Sequence, residues 1–409
     1  MTYPIRPVAE AEWSAFGDVL AEGFAWTPHP VQSERYKRET EFDRTLAAFD
    51  GDTIVGCTAI FSFRMTVPGG PIPVAGVTAV SVLPSHRRRG VLSALMRRQL
   101  TDIRERGEAV AALYASETPI YGRFGYGRAA GQMALTIDKR GAAFVRDAPV
   151  DPALRLRVAK PAEARADFER LFAAVVTRRP GLYERKPAFW DNILADEEFD
   201  QRGAGVLRSV IAEDDQGVRG YALFRIKPDW DADGMPAGEL RLNELFAADP
   251  AAYALLWRSV LDRDLVSKIV SHARPVDDPL FALVADQRQL RARWSDDVWV
   301  RLVEVDRALT SRSYAAPVDV VLAVQDEACP WNSRRWRLSA DTTGAECKPV
   351  DDEPDITLKA ASLGSAYLGD GTLIEEHGAG LLGEHTPGAV RALNTAMSWS
   401  PKPWAGLVF

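Results

Sequence analysis

From residue 44 onward the apolar positions recur with period two. Runs at 46–49, 53–65 and 72–83, separated by Asp50-Gly51-Asp52 and by Pro68-Gly69-Gly70-Pro71, predict an antiparallel meander. The period then lengthens: Leu92, Leu95, Met96, Leu100 and Ile103 share one helical stripe, so the chain passes from strand to helix near residue 90. Gly107 suits the C-terminal cap of that helix, and the unbroken apolar run 109–115 reads as a strand covered on both faces. A strand, a crossover helix and a strand in this order imply a parallel pair. Ahead of the meander, 5–8 reads as a short strand and 9–21 as a helix. That helix is broken at Phe24-Ala25-Trp26-Thr27-Pro28 before a polar segment at 32–43.

The same order begins again at 154–158. Helical patterns at 164–176 and 188–195 are followed by strand patterns at 205–213, 219–227 and 239–246 and a helix at 251–261. This is the mark of a duplicated fold. From 299–303 the chain changes once more, with strands at 318–324, 335–339 and 356–360 and helices at 361–368 and 389–397. The expected layout is three domains, 1–145, 146–297 and 298–409, of mixed α/β and α+β class, which 409 residues accommodate.

Candidate chemistry concentrates at 80–93, where a strand runs through Pro84 into Arg87, Arg88, Arg89 and Gly90 and then opens a helix. The free N–H groups of a helix's first turn share their direction with the positive end of its dipole, which makes such a turn a phosphate site. Gly90 lets a ligand approach the backbone and the arginines add charge. In the second repeat Ala247-Ala248-Asp249-Pro250 stands at the equivalent junction, so the duplicate is expected to lack the site. Phe24 and Trp26 are candidates to wall an acceptor cleft.

Composition narrows the function classes. A net charge of −7 argues against a nucleic-acid binder and suits a cationic small substrate. Cys57, Cys329 and Cys347 are scattered, as are the five histidines, so neither a disulfide framework nor a metal site is expected. Met1-Thr2-Tyr3-Pro4-Ile5-Arg6 lacks the pattern of a secretion signal, and no apolar run has bilayer length; the expected location is the cytoplasm.

The spacing Arg87-x-x-Gly90-x-Leu92 resembles the coenzyme A pyrophosphate loop of the GNAT N-acetyltransferases, Gln/Arg-x-x-Gly-x-Gly/Ala, with Leu92 standing where a small residue is usual. Downstream, Ser116-Glu117-Thr118-Pro119-Ile120 leads into Tyr121-Gly122-Arg123-Phe124-Gly125-Tyr126. Together with the His86-Arg-Arg-Arg-Gly loop, this is similar to the enhanced intracellular survival (Eis) family of bacterial N-acetyltransferases. The resemblance covers the whole chain. It implies tandem GNAT folds, the second without a cofactor site, followed by a sterol carrier protein-like domain. It also implies a homohexamer with acetyl-coenzyme A as co-substrate.

On this resemblance the cofactor lies against Val80, Ser81, Val82, Arg88, Arg89, Gly90, Val91, Leu92 and Ser93, with Ser116 and Glu117 beside it. A splay between the strands ending near residues 83 and 115 would admit the pantetheine arm, bonded to the Val80 and Val82 backbone as an added strand would be. Acetyl transfer needs a held thioester, a base for the ammonium proton and an acid for the thiolate. The resemblance assigns the acid to Tyr121, with a reference pKa near 10, and the base to the terminal carboxylate of Phe409, with a reference near 3.5. Some family members carry an acidic residue before the last Phe where this chain has Val408, leaving Glu34, Glu39, Glu41 and Asp43 as alternatives for drawing in a polycation. The acceptor classes this leaves are an aminoglycoside-like small molecule and a lysine side chain. The rival reading is a non-catalytic acyl-coenzyme A or lipid-binding protein, and Tyr121 together with a terminal Phe argues against it.

Overall fold

The computed structural model describes residues 3–409, so Met1 and Thr2 of the N-terminal stretch lie outside the described residues. The chain forms two compact units, one of residues up to 130 with 180–184 and 297–409, the other of 131–179 with 185–296.

In the first unit a seven-stranded sheet runs Ile5–Arg6, Leu46–Asp50, Thr53–Val67, Gly70–Val82, Val110–Tyr114, Val298–Leu302, Gly127–Arg128. The expected meander forms its second to fourth strands, paired antiparallel. The helix Val91–Glu105 crosses to a parallel partner, Val110–Tyr114. It buries Leu95, Met96, Leu100 and Ile103 as its stripe predicts. Three of these, Met96, Leu100 and Ile103, pack with Val77, Ala111 and Leu113. Burying each such side chain stabilises by about 1.5–3 kcal/mol, which fixes the helix across the sheet. Leu92, on the same stripe, is only half-buried and faces a cleft.

The polar segment at 32–43 contains a helix, Pro30–Glu39, opened by His29, whose ring accepts from the Val31 N–H, and by a proline at its first turn. None of its residues is buried, so it carries no apolar stripe from which its periodicity could be read.

The second unit's sheet runs Arg155–Ala159, Arg208–Asp214, Gly217–Lys227, Gly238–Ala247, Val266–Pro275, Gly131–Asp138, Arg293–Asp296. Each sheet takes its sixth strand from beyond its own repeat. Gly131–Asp138 follows Gly127–Arg128 in the chain yet pairs with Val266–Pro275 and Arg293–Asp296. Val298–Leu302, which reads from sequence as the start of the last segment, lies between Val110–Tyr114 and Gly127–Arg128. Its Val298, Val300 and Leu302 are fully buried. Apolar alternation announces such strands without naming their neighbours.

The helix Pro250–Leu261 of this unit starts differently from Val91–Glu105. The Asp249 carboxylate accepts from the N–H groups of Ala251 and Ala252 at 3.0 Å each, and Pro250 removes another donor. Asp249 also meets Arg219 at 2.9 Å. Asp249→Ala should lower the unfolding free energy by about 1 kcal/mol in urea titrations, the usual worth of an N-cap.

The remaining five-stranded sheet, ordered Ala345–Pro349, Arg335–Ala340, Val318–Gln325, Ile356–Lys359, Gly383–Glu384, belongs to the first unit, with helices Ala360–Ala366, Leu373–Gly378 and Ala389–Met397. It is tied to the seven-stranded sheet at fully buried Arg301, whose Nη2 meets Asp326 at 2.5 Å while Nη1 donates to the Leu302 carbonyl at 3.0 Å. Gly125 of the aromatic motif and Gly127 just after it serve this seam. A Cβ at Gly125 would lie 2.7 Å from the Arg301 guanidinium carbon, and one at Gly127 only 1.9 Å from the Ala361 carbonyl oxygen.

Candidate active site

The cleft begins with an irregularity in one strand. Cys57 pairs with Ser81 and Ala59 with Thr78, so Ala79 and Val80 together oppose the single residue Thr58, a β-bulge. Ala79 takes a left-handed φ of +56°, a conformation in which a residue with a Cβ is strained. The Gly70–Val82 strand thus turns while keeping its ladder to Thr53–Val67. On its other edge only Ala75–Ala111 and Gly76–Ala112 pair with the parallel neighbour. Past those two rungs the strands separate and their facing backbone groups are released.

The turn that follows has Arg88 at φ +62° and Gly90 at φ +84°. Gly90 is the N-cap of Val91–Glu105 and offers no side-chain cap; the first helical bond runs from the Ala94 N–H to the Gly90 carbonyl at 3.0 Å. The N–H groups of Val91, Leu92 and Ser93 precede that bond, and all three residues line the cleft. A Cβ at Gly90 would meet nothing within 4 Å, so the glycine is there for its φ and not for space.

The opposite wall comes from Ser116 and Glu117 and from the short helix Thr118–Tyr121. Tyr121 is 4% exposed. Burial raises its hydroxyl above the ordinary tyrosine range and the Glu117 charge adds to that, against a hydrogen bond with Ser116. The cleft, open to solvent on one side, has a volume of about 790 Å³.

Of the residues anticipated from sequence, this cleft brings together Phe24, Val80, Ser81, Val82, Arg88, Gly90, Val91, Leu92, Ser93, Ser116, Glu117 and Tyr121. The Ser81 side chain points away to donate to the Val19 carbonyl at 2.9 Å. Arg89 and Trp26 are not in the lining; Trp26 lies just past the end of the Trp13–Phe24 helix, 39% exposed. Arg87, expected to add charge at the turn, also lines the cleft, and Gly23, His86, Ile120 and Arg123 line it unanticipated, although each adjoins an anticipated residue or sits in the quoted motifs. Among the acidic residues considered for a polycation, Glu41 accepts from Ser62 Oγ at 2.6 Å, and Asp43 meets Arg106 at 2.8 Å.

Phe409 is also outside the lining of that cleft. Its ring packs among Phe63 at 4.8 Å, Tyr114 at 5.2 Å and Tyr183 at 5.5 Å. It lies over Gly76, the last paired residue of the parallel ladder, where a Cβ would come within 3.2 Å of the ring. Tyr183 escaped the sequence reading because it lies in an irregular stretch. Residues 181–184 run beside Thr53–Val67, with Thr66 N–H donating to the Leu182 carbonyl at 2.7 Å and Glu184 N–H to the Arg64 carbonyl at 2.9 Å.

Among the described residues no cluster of three or more His, Cys, Asp or Glu is arranged to hold a metal, and no helix is long and apolar enough to cross a membrane.

Residues 4–129 match the acetyltransferase (GNAT) domain family, residues 181–302 a second acetyltransferase (GNAT) domain family, and residues 305–406 the sterol carrier protein domain. An uncharacterized N-acetyltransferase of Streptomyces avermitilis is 43% identical over 407 residues, 99% of each chain. The N-acetyltransferase Eis of Mycobacterium tuberculosis is 33% identical over 380 residues, 90% of each chain. The crystal structure of Eis1 from Mycobacterium abscessus superposes with a TM-score of 0.85 at 35% identity, covering 99% of this chain and 100% of that one.

Proposed function

The chain belongs to the Eis family of GNAT N-acetyltransferases, with two acetyltransferase domains followed by a sterol carrier protein domain, and from that premise we propose that it moves acetyl from acetyl-coenzyme A directly onto an amine of a cationic acceptor. The observation that carries this reading is an uncapped helix N-terminus opening onto the same cleft as the buried Tyr121 hydroxyl.

The site suits coenzyme A on its own geometry. The N–H groups of Val91, Leu92 and Ser93, with Arg88 beside them, match a pyrophosphate, and the released edge from Val80 to Val82 matches an amide-bearing arm. Coenzyme A supplies an activated thioester. The protein holds it, places a backbone N–H near the thioester carbonyl and manages two protons. The terminal carboxylate of Phe409 takes a proton from the acceptor's ammonium. As the amine nitrogen bonds to the acyl carbon and the C–S bond breaks, Tyr121 would give its proton to the departing sulfur, and the second proton shed by the new amide nitrogen would return to the Tyr121 oxygen. The buried Tyr121 hydroxyl on the same cleft as the uncapped helix end supports the acid, while Phe409, outside that lining, enters as the base on the family likeness alone.

In this reading residues 1–145 form the catalytic domain, 146–297 a duplicate without the cofactor site, and 298–409 the domain that supplies the terminal carboxylate. The Asp249 carboxylate supports the second assignment, since it fills the position at its helix that a phosphate would take. The family likeness further supports a homohexamer, which light scattering on the purified protein tests.

The test of function is thiol release from acetyl-coenzyme A with spermidine, an aminoglycoside and a lysine peptide as acceptors. Turnover with one class supports transfer and names the acceptor; acetyl-coenzyme A binding with no turnover on any of them favours the binding-protein reading. In an active preparation, Gly90→Ala forces a Cβ into a left-handed conformation costing about 1–2 kcal/mol. The KM for acetyl-coenzyme A should rise about tenfold with kcat little changed.

A further inference from the structure

The last residues of the chain are held by their main chain more than by their side chains. Val408 is largely exposed, and Gly406 turns the backbone at φ +71°. On one side of that turn the Ala405 N–H donates to Asp297 Oδ2 at 2.8 Å, and on the other the Tyr183 hydroxyl donates to the Leu407 carbonyl. Both anchors are themselves 3% exposed. Their common neighbour is Tyr114, whose hydroxyl is 3.4 Å from that of Tyr183 and hydrogen-bonded to Asp297. One residue upstream of Ala405, the Trp404 N–H donates to the Pro180 carbonyl at 2.9 Å. Residues 404–407 are thus fixed by buried polar groups on both sides of a glycine.

We propose that Tyr183 and Asp297 clasp the terminal segment at these two points and are positioning residues for the Phe409 carboxylate. The inference rests on the reading in which that carboxylate accepts the ammonium proton. A base must stay within hydrogen-bond reach of the proton it removes, and a displacement of about 1 Å costs on the order of 100-fold in rate. The Phe409 ring alone, wedged among Phe63, Tyr114 and Tyr183, sets where the residue sits. The bonds to Ala405 and Leu407 set which way its main chain runs, and so where the carboxylate points. Asp297 fits this role by chemistry as well. Paired with the Tyr114 hydroxyl and the Ala405 N–H, it is a holding group, and no proton transfer is asked of it.

The test compares wild type with Tyr183→Phe, Asp297→Asn, Asp297→Ala and a chain lacking Phe409. Two readouts are used: acetyl-coenzyme A turnover with the acceptors above, and release of Phe409 by carboxypeptidase from the native protein. Tyr183→Phe keeps the ring and its packing. It should lower kcat about tenfold at unchanged KM for acetyl-coenzyme A and speed Phe409 release by a similar factor. Asp297→Ala should do the same, and Asp297→Asn, which keeps an oxygen for the Ala405 N–H, should recover most of both. Thermal melting identifies any variant that has lost its fold, and Tyr183→Phe then carries the test. Loss of transfer without Phe409, together with wild-type kcat and wild-type Phe409 release in both Tyr183→Phe and Asp297→Ala, overturns the clasp alone. Undiminished transfer without Phe409 overturns the terminal base and the positioning role with it.

Discussion

Replacing Tyr121 by phenylalanine should cut kcat for acetyl transfer by roughly 10²–10⁴-fold, the usual worth of a general acid, while acetyl-coenzyme A binds as before. The side chain is almost wholly inside the protein and its ring stays packed without the hydroxyl, so the loss falls on the proton and not on the wall of the cleft. Burial first, and the Glu117 charge second, raise the hydroxyl above its ordinary range. A tyrosine ordinarily loses its proton near pH 10, and one raised above that keeps it throughout the neutral and mildly alkaline range. The pH–rate profile of the wild type should therefore show no alkaline fall below about pH 10 that disappears in Tyr121→Phe. Pre-steady-state thiol release separates this loss of chemistry from slow product release. A variant that keeps more than a tenth of wild-type kcat would remove Tyr121 from the role.

The second large effect belongs to stability. Asp326→Ala should destabilise the protein by about 3–5 kcal/mol, because it strands a charged guanidinium that has no route to water. Arg301 and Asp326 are both buried, and Asp326 also accepts from Asn332 at 2.9 Å and from the Cys329 N–H at 3.0 Å. Removing both charges together, as Arg301→Met with Asp326→Leu, should recover most of the loss, since well-packed apolar pairs often equal a buried ion pair. Guanidinium unfolding of the two variants side by side is the measurement. If the single substitution costs under 1 kcal/mol, the pair is not what joins the two sheets of the first unit.

Much of the cleft was legible in the sequence because it rests on local chemistry. Gly90 between arginines and an apolar helix stripe reads as an open N-terminus whatever surrounds it, and Tyr121 stands in a motif with few bland explanations. The bulge at Ala79 was not legible, since alternation continues through it and alanine gives no sign of a left-handed φ. Nor was the pairing of Val298–Leu302 with Val110–Tyr114, because strand partners far apart in the chain leave no periodic trace. Tyr183 was missed for a related reason: a short extended stretch with one tyrosine has no pattern, and its meaning comes wholly from the residues it meets.

The exchanged strands bear on how the chain is made. When a ribosome has released residue 130, the N-terminal sheet still lacks Val298–Leu302, the strand that fills the place between Val110–Tyr114 and Gly127–Arg128. That strand emerges roughly 170 residues later, an interval on the order of 10 s at a synthesis rate of about 5–20 residues per second. For that time Val110–Tyr114 presents an unpaired apolar edge, the kind of surface that seeds aggregation and that chaperones cover. The duplicated halves cannot mature one after the other as beads on a string do, and the N-terminal sheet is complete only once translation has entered the final third of the message.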